Sequence, residues 1–177
     1  MDRARMLIQY LLSLDETLAP PLRALLLLVV ANSAPVLGHK LFGQRLDYPL
    51  DGGWRFFDGR PLLGPSKTLR GVVLSLAAAT AAAPALGLPW ATGALVAGLS
   101  MLGDLASSFI KRRLGRPPSS PALLLDQVPE SLFPLLAFRE WLGLTAWDIA
   151  VVVLAFFVLD LLLSQLLYRL HLRDQPY

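Results

Sequence analysis

The feature that most constrains this chain is a series of apolar runs, each about as long as a membrane is thick. Spanning roughly 30 Å of hydrocarbon takes about 20 helical residues. Four runs reach or approach that length, and a weaker fifteen-residue run contains Arg139 and Glu140. We predict that this run forms a short helix that crosses the membrane, with the Arg139 side chain reaching back to the interface. The predicted spans are 18–37, 69–88, 90–110, 130–144 and 147–170.

The composition agrees with a membrane location. Only 16% of the 177 residues are charged and 55% are hydrophobic, whereas soluble domains average about 25% charged residues. The absence of cysteine excludes a thiol nucleophile, disulfides and thiolate metal sites. Basic residues flanking the spans explain the net charge of +3, so no nucleic-acid partner is indicated. We predict a single-domain, all-α integral membrane protein with about five transmembrane helices.

The first seventeen residues resemble a signal peptide only superficially. Their apolar part, Met6–Leu14, is interrupted by polar residues and is followed at once by Asp15 and Glu16. Apolar residues recur within it at helical spacing. We therefore predict an interfacial amphipathic helix over 1–17 in place of a cleaved signal.

Basic residues are distributed unequally between the two sides of the predicted bundle. With the N-terminus outside, twelve of the sixteen Lys and Arg residues lie on the inner side, which is the pattern of cytoplasmic loops. The two longest polar loops, 39–68 and 111–129, both fall on that side. We predict a protein of the cell (inner) membrane with its active site on the cytoplasmic face. The alanine-rich second span allows close helix approach and is a candidate homodimer contact.

Polar residues share one helix face at the end of the third span. Asp104, Ser108 and Lys111 recur at i, i+4 and i+7, with Arg112 beside them. An ionised aspartate within a span costs roughly 2.5–3.5 kcal/mol at the helix centre, so something must offset that cost. One candidate is Mg²⁺, which takes one or two carboxylates plus substrate phosphates. The alternative is an ion pair with Lys111 or Lys67.

Two further polar elements lie in the loops. Lys67, Thr68 and Arg70 follow a Gly-Pro turn before the second span, without the glycine spacing of a Walker A loop. A basic helix start of this kind binds anions, and the alternative is an ordinary basic cap at the membrane edge. Asp126 closes the loop that Lys111 opens, so we expect it to face the acid of the third span. Taken alone, it would more often be a helix N-cap.

Two polar residues lie within the spans themselves. Asn32 in the first span needs a hydrogen-bond partner, which is either a neighbouring helix or a ligand. Asp160, midway along the fifth span, is a functional candidate by default, and packing against a polar helix face is an equal alternative. No nucleophile and base are spaced as a pair, so covalent catalysis is not indicated.

Together these elements resemble the CTP-dependent phosphatidate cytidylyltransferase superfamily, and above all its compact branch, the CDP-archaeol synthases. The resemblance runs from about Ala19 to the C-terminus and includes the tail 172–177. It rests on the order of four motifs, each weak alone. They are ANSAP at 31–35, GPSKTLRG at 64–71, GD at 103–104 with SFIKRR at 108–113, and LDQ at 125–127.

The resemblance implies an enzyme that joins CTP to a membrane lipid phosphate, archaetidic-acid-like or phosphatidic acid, giving a CDP-lipid and pyrophosphate. It implies Mg²⁺ as the cofactor, held by Asp104 and Asp126. A reading from another class is a non-catalytic membrane scaffold or a small anion transporter. The predicted catalytic residues are Asp104, Asp126, Lys111 and Arg112, and the predicted substrate-binding residues are Lys67, Thr68, Arg70, Ser108 and Asn32.

Overall fold

The structure, a computed structural model, describes residues 19–43, 45–118, 120 and 122–169. Its secondary structure there is helical, with two isolated β-bridges, one short 3₁₀ turn and five main helices. The predicted interfacial helix over 1–17 and the tail 172–177 lie outside the described residues. The helices are α1 (Pro20–Phe42), α2 (Leu69–Ala82), α3 (Trp90–Arg113), α4 (Gln127–Ala137) and α5 (Ala146–Arg169). The predicted all-α fold is confirmed.

Three of the five helices have the length and hydropathy of a membrane span. These are α1, α3 and α5, with 23, 24 and 24 residues. The apolar helix α2 has 14 residues, and α4 has 11, which gives about 16 Å at 1.5 Å per residue. That α2 and α4 also carry the chain across the bilayer stays a prediction.

The ends of the helices depart from the predicted spans where proline and glycine intervene. The second span was predicted over 69–88, but α2 ends at Ala82 because Pro84 starts a 3₁₀ turn that Gly87 closes at a φ of +68°. The fourth was predicted over 130–144, but α4 starts three residues earlier and ends at Ala137. Turns follow it, with Gly143 at a φ of +64°. By contrast, α1 and α3 extend five and three residues beyond their predicted ends.

The helices form one bundle around a small apolar core. Helix α1 packs against α2, α3 and α5, while α3 also packs against α2 and α4. Leu27, Leu28 and Phe156 are buried at its centre. A Cβ at position 93 would lie 2.2 Å from the Ala79 carbonyl oxygen, so Gly93 lets α2 and α3 approach closely. The alanine-rich face of α2 therefore contributes to packing within the chain.

The two polar loops meet at one end of this bundle, as the sequence predicts. Arg60 in the first loop donates to the carbonyl oxygen of Arg113, the last residue of α3. In return, the Arg113 guanidinium binds the Asp58 carboxylate and the Pro61 carbonyl oxygen. Because α3 leads directly into the second loop, these contacts bring both loops over the same helix ends.

Candidate active site

A polar cavity of about 830 Å³ lies where the two loops meet the helix ends. All five helices and both loops contribute to its wall. Residues far apart in the sequence thus converge on one space, as the predicted site requires. All nine predicted site residues line this cavity: Asn32, Lys67, Thr68, Arg70, Asp104, Ser108, Lys111, Arg112 and Asp126.

Asp104 is paired with Lys67 across the cavity. The Lys67 ammonium donates to both Asp104 carboxylate oxygens, at 2.6 and 2.5 Å, which is the ion pair that the sequence analysis gave as the alternative to a metal. Burial alone would lower the pKa of Lys67, but the Asp104 carboxylate, with Glu130 and Asp126 further off, raises the pKa above its ordinary value. Lys67 therefore stays protonated and available to a phosphate.

Glu130 is a site residue that the sequence analysis missed. It lines the same cavity, and its carboxyl group lies close enough to that of Asp104 for the two acids to interact. The two helices come this close because position 103 is glycine: a Cβ there would lie 2.3 Å from the Pro129 carbonyl oxygen and 2.7 Å from the Glu130 nitrogen. The position of Glu130 in the sequence could have revealed this role, since Glu130 follows Asp126 by about one helical turn.

Asp126 forms a second acid–lysine pair. Its Oδ1 lies 2.7 Å from the Lys111 ammonium, and its Oδ2 accepts the backbone N–H of Ala122 at 3.1 Å. Asp126 is also the N-cap residue of α4 by position, as the alternative interpretation gave it, although its side chain makes no capping hydrogen bond. Two carboxylates thus reach the cavity, one from α3 and one from the residue before α4, and each is neutralised by a lysine.

Arg112 holds hydrogen-bond donors that the protein does not use. Its Nη2 donates to the Pro117 carbonyl oxygen at 2.8 Å, but its Nε and Nη1 are buried and have no hydrogen-bond partner in the described part of the chain. A buried donor without a partner costs about 1–3 kcal/mol. Guanidinium binds phosphate through paired, charge-assisted hydrogen bonds. This corner of the cavity is therefore suited to a phosphate group.

Arg70, by contrast, is fully engaged by its neighbours in the first loop. Its Nη1 donates to the carbonyl oxygens of Gly43 and Arg45 at 2.8 and 2.5 Å. Its Nη2 donates to Asp47 at 3.0 Å and lies 3.1 Å from the His39 ring nitrogen. These contacts fasten the end of α1 to the start of α2. A direct role for Arg70 in binding phosphate stays a prediction, and these contacts speak against it.

The remaining predicted residues combine structural contacts with a place on the cavity wall. Thr68 is the N-cap of α2, where its Oγ1 accepts the Gly71 N–H at 3.2 Å. Ser108 is buried on the α3 side of the cavity. The Asn32 amide donates to Ser100 Oγ at 2.9 Å, so its partner is a neighbouring helix, the first of the two predicted alternatives.

The carboxylates fit Mg²⁺ when phosphates complete its coordination. Among the residues that the structure describes, no group of three or more His, Cys, Asp or Glu side chains is arranged to hold a metal by itself. Asp104, Asp126 and Glu130 nevertheless offer hard oxygen ligands, and Mg²⁺ commonly takes one or two of these plus substrate phosphates. These residues are therefore chemically compatible with Mg²⁺, and Mg²⁺ itself stays a prediction.

An apolar groove of about 290 Å³ adjoins the polar cavity between α1 and α5. Asn32, Val36, Asp160 and Ser164 line both spaces, and the rest of the groove is formed mainly by aliphatic side chains. Asp160 accepts a hydrogen bond from the Gln127 amide at 2.9 Å. A charged cavity that continues into an apolar groove is suited to an amphiphile with a phosphate at one end.

The fold and the cavity define a helical membrane protein with a charged cavity at one end of its bundle. The comparisons with known proteins give the family. Residues 85–177 match the family model described as CDP-archaeol synthase. The CDP-archaeol synthase of Halobacterium salinarum is 36% identical, with 87% of this chain and 93% of that protein covered. The CDP-archaeol synthase of Pyrobaculum calidifontis is 34% identical, with 84% of this chain and 91% of that protein covered. The one of Hyperthermus butylicus is 43% identical, with 63% of this chain and 68% of that protein covered.

A solved structure gives the same answer. It is described as an intramembrane enzyme for archaeal membrane lipids biosynthesis, and it matches with a TM-score of 0.69 and 33% identity over 80% of this chain and 90% of that one. The chain belongs to the CDP-archaeol synthase family. The resemblance predicted from the motifs is thereby confirmed, as are the integral membrane location and the class of enzyme, a cytidylyltransferase. The scaffold and transporter alternatives are set aside.

Proposed function

We propose that the polar cavity transfers the cytidylyl group of CTP to the phosphate of an archaetidic-acid-like membrane lipid and releases pyrophosphate. The observation that carries this proposal is the pairing of two spaces: a cavity with two acid–lysine pairs and the unused donors of Arg112 continues into an apolar groove. A soluble triphosphate and a membrane-bound phosphate need such a junction in order to meet.

The triphosphate of CTP is assigned to the basic side of the cavity. Lys67 and Lys111 exchange part of their contact with the acids for phosphate oxygens, and Arg112 supplies its two buried donors. Asp104 and Asp126 would hold Mg²⁺, which supplies neutralisation of the negative charge on the triphosphate. When the lysines turn to the phosphates, the carboxylates of Asp104 and Asp126 lose part of their contact with them and can bind the Mg²⁺ ion.

The reaction follows from these positions. An oxygen of the lipid phosphate attacks the α-phosphorus of CTP, and a new P–O bond forms between them. The bond from the α-phosphorus to the oxygen bridging to the β-phosphorus breaks, and pyrophosphate leaves with that electron pair. Such transfers depend mainly on positioning and on neutralising charge. The attacking oxygen is already ionised, so Lys67, Lys111 and Arg112 act by stabilising charge, and no general base is required.

The hydrocarbon chains of the acceptor are assigned to the groove between α1 and α5. Its phosphate then enters the polar cavity beside Asn32, the residue that the two spaces share on α1. Phosphatidic acid, the other predicted acceptor, has the same phosphate end and differs in its linkages and chains. The groove is lined mainly by leucine and other apolar side chains, which favour hydrocarbon without reading a particular linkage.

We propose the cytoplasmic side for this site, because the basic loops that form it follow the positive-inside pattern and because CTP is a cytoplasmic nucleotide.

The predicted homodimer would use the second helix. Ala77 and Ala81 lie one helical turn apart on the exposed face of α2, and this is where a second copy would pack. Disulfide cross-linking of Ala77→Cys in vesicles tests that contact directly, since the chain has no other cysteine.

The test is transfer of label from CTP to lipid. The purified protein in vesicles receives CTP labelled in the α-phosphate, together with ether- or ester-linked lipid phosphates. We expect label in the lipid phase with Mg²⁺ and none after chelation, while label in the γ-phosphate stays in water. Glu140→Gln changes an exposed acid outside the cavity and serves as the control. Failure to label any lipid phosphate would contradict the proposal.

A further inference from the structure

The first polar loop contains a short hairpin that the proposed reaction does not use. The Phe56 N–H donates to the Arg60 carbonyl oxygen and the Leu62 N–H donates to the Trp54 carbonyl oxygen, both at 2.8 Å. We refer to residues 54–62 as the hairpin. None of them lines the polar cavity, although the next residue, Leu63, does. The hairpin therefore needs another explanation.

The hairpin is fastened to the lipid-facing side of α3. Phe56 packs edge to face on Phe109, with ring centroids 5.3 Å apart, and the Arg113 guanidinium lies over both rings at 4.8 and 5.0 Å. Phe109 follows Leu102 and Leu95 at seven-residue spacing, so all three occupy one helix face. Leu95 and Leu102 are 51% and 56% exposed on the bundle surface, where a membrane-spanning helix meets lipid.

The aromatic side chains at the outer side of the hairpin are uncovered. Phe57 at its tip is 99% exposed and Trp54 is 76% exposed. Burying such a side chain contributes about 1.5–3 kcal/mol, and tryptophan is enriched where membrane meets water. Ile110 and Leu114, at the adjoining end of α3, are also exposed. The hairpin and the helix end thus both present exposed apolar side chains, and the Phe56–Phe109 contact joins the two elements.

The charges around these side chains are those of a membrane boundary. Arg55 donates to the Gly59 carbonyl oxygen at 2.9 Å, and Arg113 is bound to Asp58. Arginine stems lie along apolar surface while their charged ends reach the headgroups, and basic residues beside a span are attracted to anionic lipid. The exposed aromatic rings and the exposed Arg55 match this boundary, whereas the charge of Arg113 is neutralised within the chain by Asp58.

We propose that the hairpin is an interfacial anchor, with Trp54 and Phe57 inserted at the boundary between lipid headgroups and hydrocarbon, beside the loop end of α3. The occupant is the bilayer that already surrounds the helices, since the hairpin sits on the exposed stripe of α3. This inference rests on the position of the hairpin and is independent of the proposed reaction.

An anchor at this position also steadies the loop that carries Lys67. The chain runs directly from the hairpin to Leu63 and Gly64, whose N–H groups donate to the Asp51 carboxylate at 2.8 and 3.0 Å. Only three residues separate Gly64 from the loop end at Thr68. Fixing the hairpin in the interface therefore restricts the motion of the segment that brings Lys67 to Asp104.

The test measures how deep Trp54 lies in the bilayer. In a variant with Trp90, Trp141 and Trp147 changed to Phe, Trp54 is the single tryptophan. In vesicles of phosphatidylcholine and phosphatidylglycerol, we expect lipids brominated near the headgroup to quench its fluorescence severalfold more than lipids brominated at the chain end, and aqueous iodide to quench it little. A variant that keeps Trp90 instead reports that the protein is inserted.

Phe57→Ser should move Trp54 toward water, with weaker quenching by the brominated lipids, because it removes the neighbouring apolar contact with the membrane. Tyr48→Ser is the matched control, since Tyr48 is a comparably exposed aromatic of the same loop outside the hairpin, at 67%. It should leave the quenching of Trp54 unchanged. Strong quenching of Trp54 by iodide and none by brominated lipid, while Trp90 still reports lipid contact, would overturn the proposal.

A second measurement uses the unsubstituted protein, so that it does not depend on the folding of any variant. Vesicles with a photoactivatable group in the upper part of the lipid chain are irradiated, and the protein is digested and analysed by mass spectrometry. We expect lipid adducts on Trp54 and Phe57 as well as on the exposed stripe of α3. Adducts on the stripe with none on the hairpin would contradict the anchor.

Discussion

Arg70 and Arg112 line the same cavity and are both nearly inaccessible, at 8% and 3% exposure, yet their guanidinium groups differ in what they bind. Arg70 donates to two carbonyl oxygens and to Asp47 within the protein. Arg112 donates to the Pro117 carbonyl oxygen and keeps two buried nitrogens without a hydrogen-bond partner among the described residues. The two arginines therefore share burial and charge, and they differ in whether the protein uses the hydrogen-bond donors of the guanidinium group.

The difference distinguishes an arginine that holds the protein together from one prepared for a ligand. A guanidinium whose donors are satisfied by the chain gains little from a phosphate, because binding it would break existing hydrogen bonds. One with unsatisfied buried donors gains the full charge-assisted interaction. We therefore expect activity to depend on the residues with unused donors, and stability to depend on those whose hydrogen bonds are complete.

The largest expected effect is that of Asp104→Asn. The change removes the charge that pairs with Lys67 and that would hold Mg²⁺, and the loss of one preorganised electrostatic contact costs about 10²–10³ in rate. We expect the initial rate of label transfer from CTP to fall by at least about 100-fold, with the protein still folded. A rate near that of the unsubstituted enzyme would remove Asp104 from the site.

Glu130→Gln should have a smaller effect on the same chemistry. It keeps the size and the hydrogen-bonding capacity of the side chain beside Asp104 but removes the acid, and a partner of a metal ligand typically contributes about 10–100-fold. We expect kcat to fall by about tenfold and the Mg²⁺ concentration for half-maximal rate to rise. Unchanged dependence on Mg²⁺ would show that Glu130 only fills space between α3 and α4.

Arg70→Met addresses the other side of the comparison. It removes the contacts to Gly43, Arg45 and Asp47, and hydrogen bonds to a charged group are worth about 1.5–3 kcal/mol. We expect the protein in detergent to melt at a lower temperature, by an amount equivalent to about 2 kcal/mol, with little change in KM for CTP among the folded molecules. Arg139→Met, at an exposed arginine with one weak bond to a carbonyl oxygen, is the control.

The smallest effect concerns Asp51 and pH. Burial alone would raise the pKa of Asp51. The carboxylate accepts hydrogen bonds from the backbone N–H groups of Gly64, Leu63 and Gly53, and these hold its pKa below the ordinary value. Its contribution to stability is therefore complete above the unfolded pKa of about 3.9 and disappears as pH falls through the lower folded value. Asp51→Asn should flatten this acid limb of the melting temperature. An unchanged limb would contradict the assignment.

Much of the fold was predictable from the sequence because bilayer thickness dictates the length of an apolar run. The runs that became α1, α3 and α5 were recognised within a few residues. The ends of α2 and α4 were not, because apolar residues continue past Pro84 and past Ala137. Hydropathy does not register the hydrogen bonds that a proline or a glycine turn interrupts.

The residues of the candidate site were predictable as a set, but the separate role of each residue was not. Charged residues near membrane borders are rare enough that the acids and cations of the motifs stood out. Glu130 was overlooked because it opened a run interpreted as apolar, and its contact with Asp104 depends on the close approach at Gly103. Whether Arg70 or Arg112 keeps free donors is decided by the fold of two loops, which no spacing encodes.

The most direct test of the central claim is the affinity for CTP without a lipid acceptor, so that no turnover occurs, measured by calorimetry on Arg112→Met and Arg70→Met side by side. We predict that Arg112→Met weakens binding by about 10- to 100-fold, as expected for the loss of a charge-assisted contact worth about 1.5–3 kcal/mol, whereas Arg70→Met keeps the affinity and loses thermal stability. The reverse result, with CTP affinity lost at Arg70 and retained at Arg112, would contradict the account.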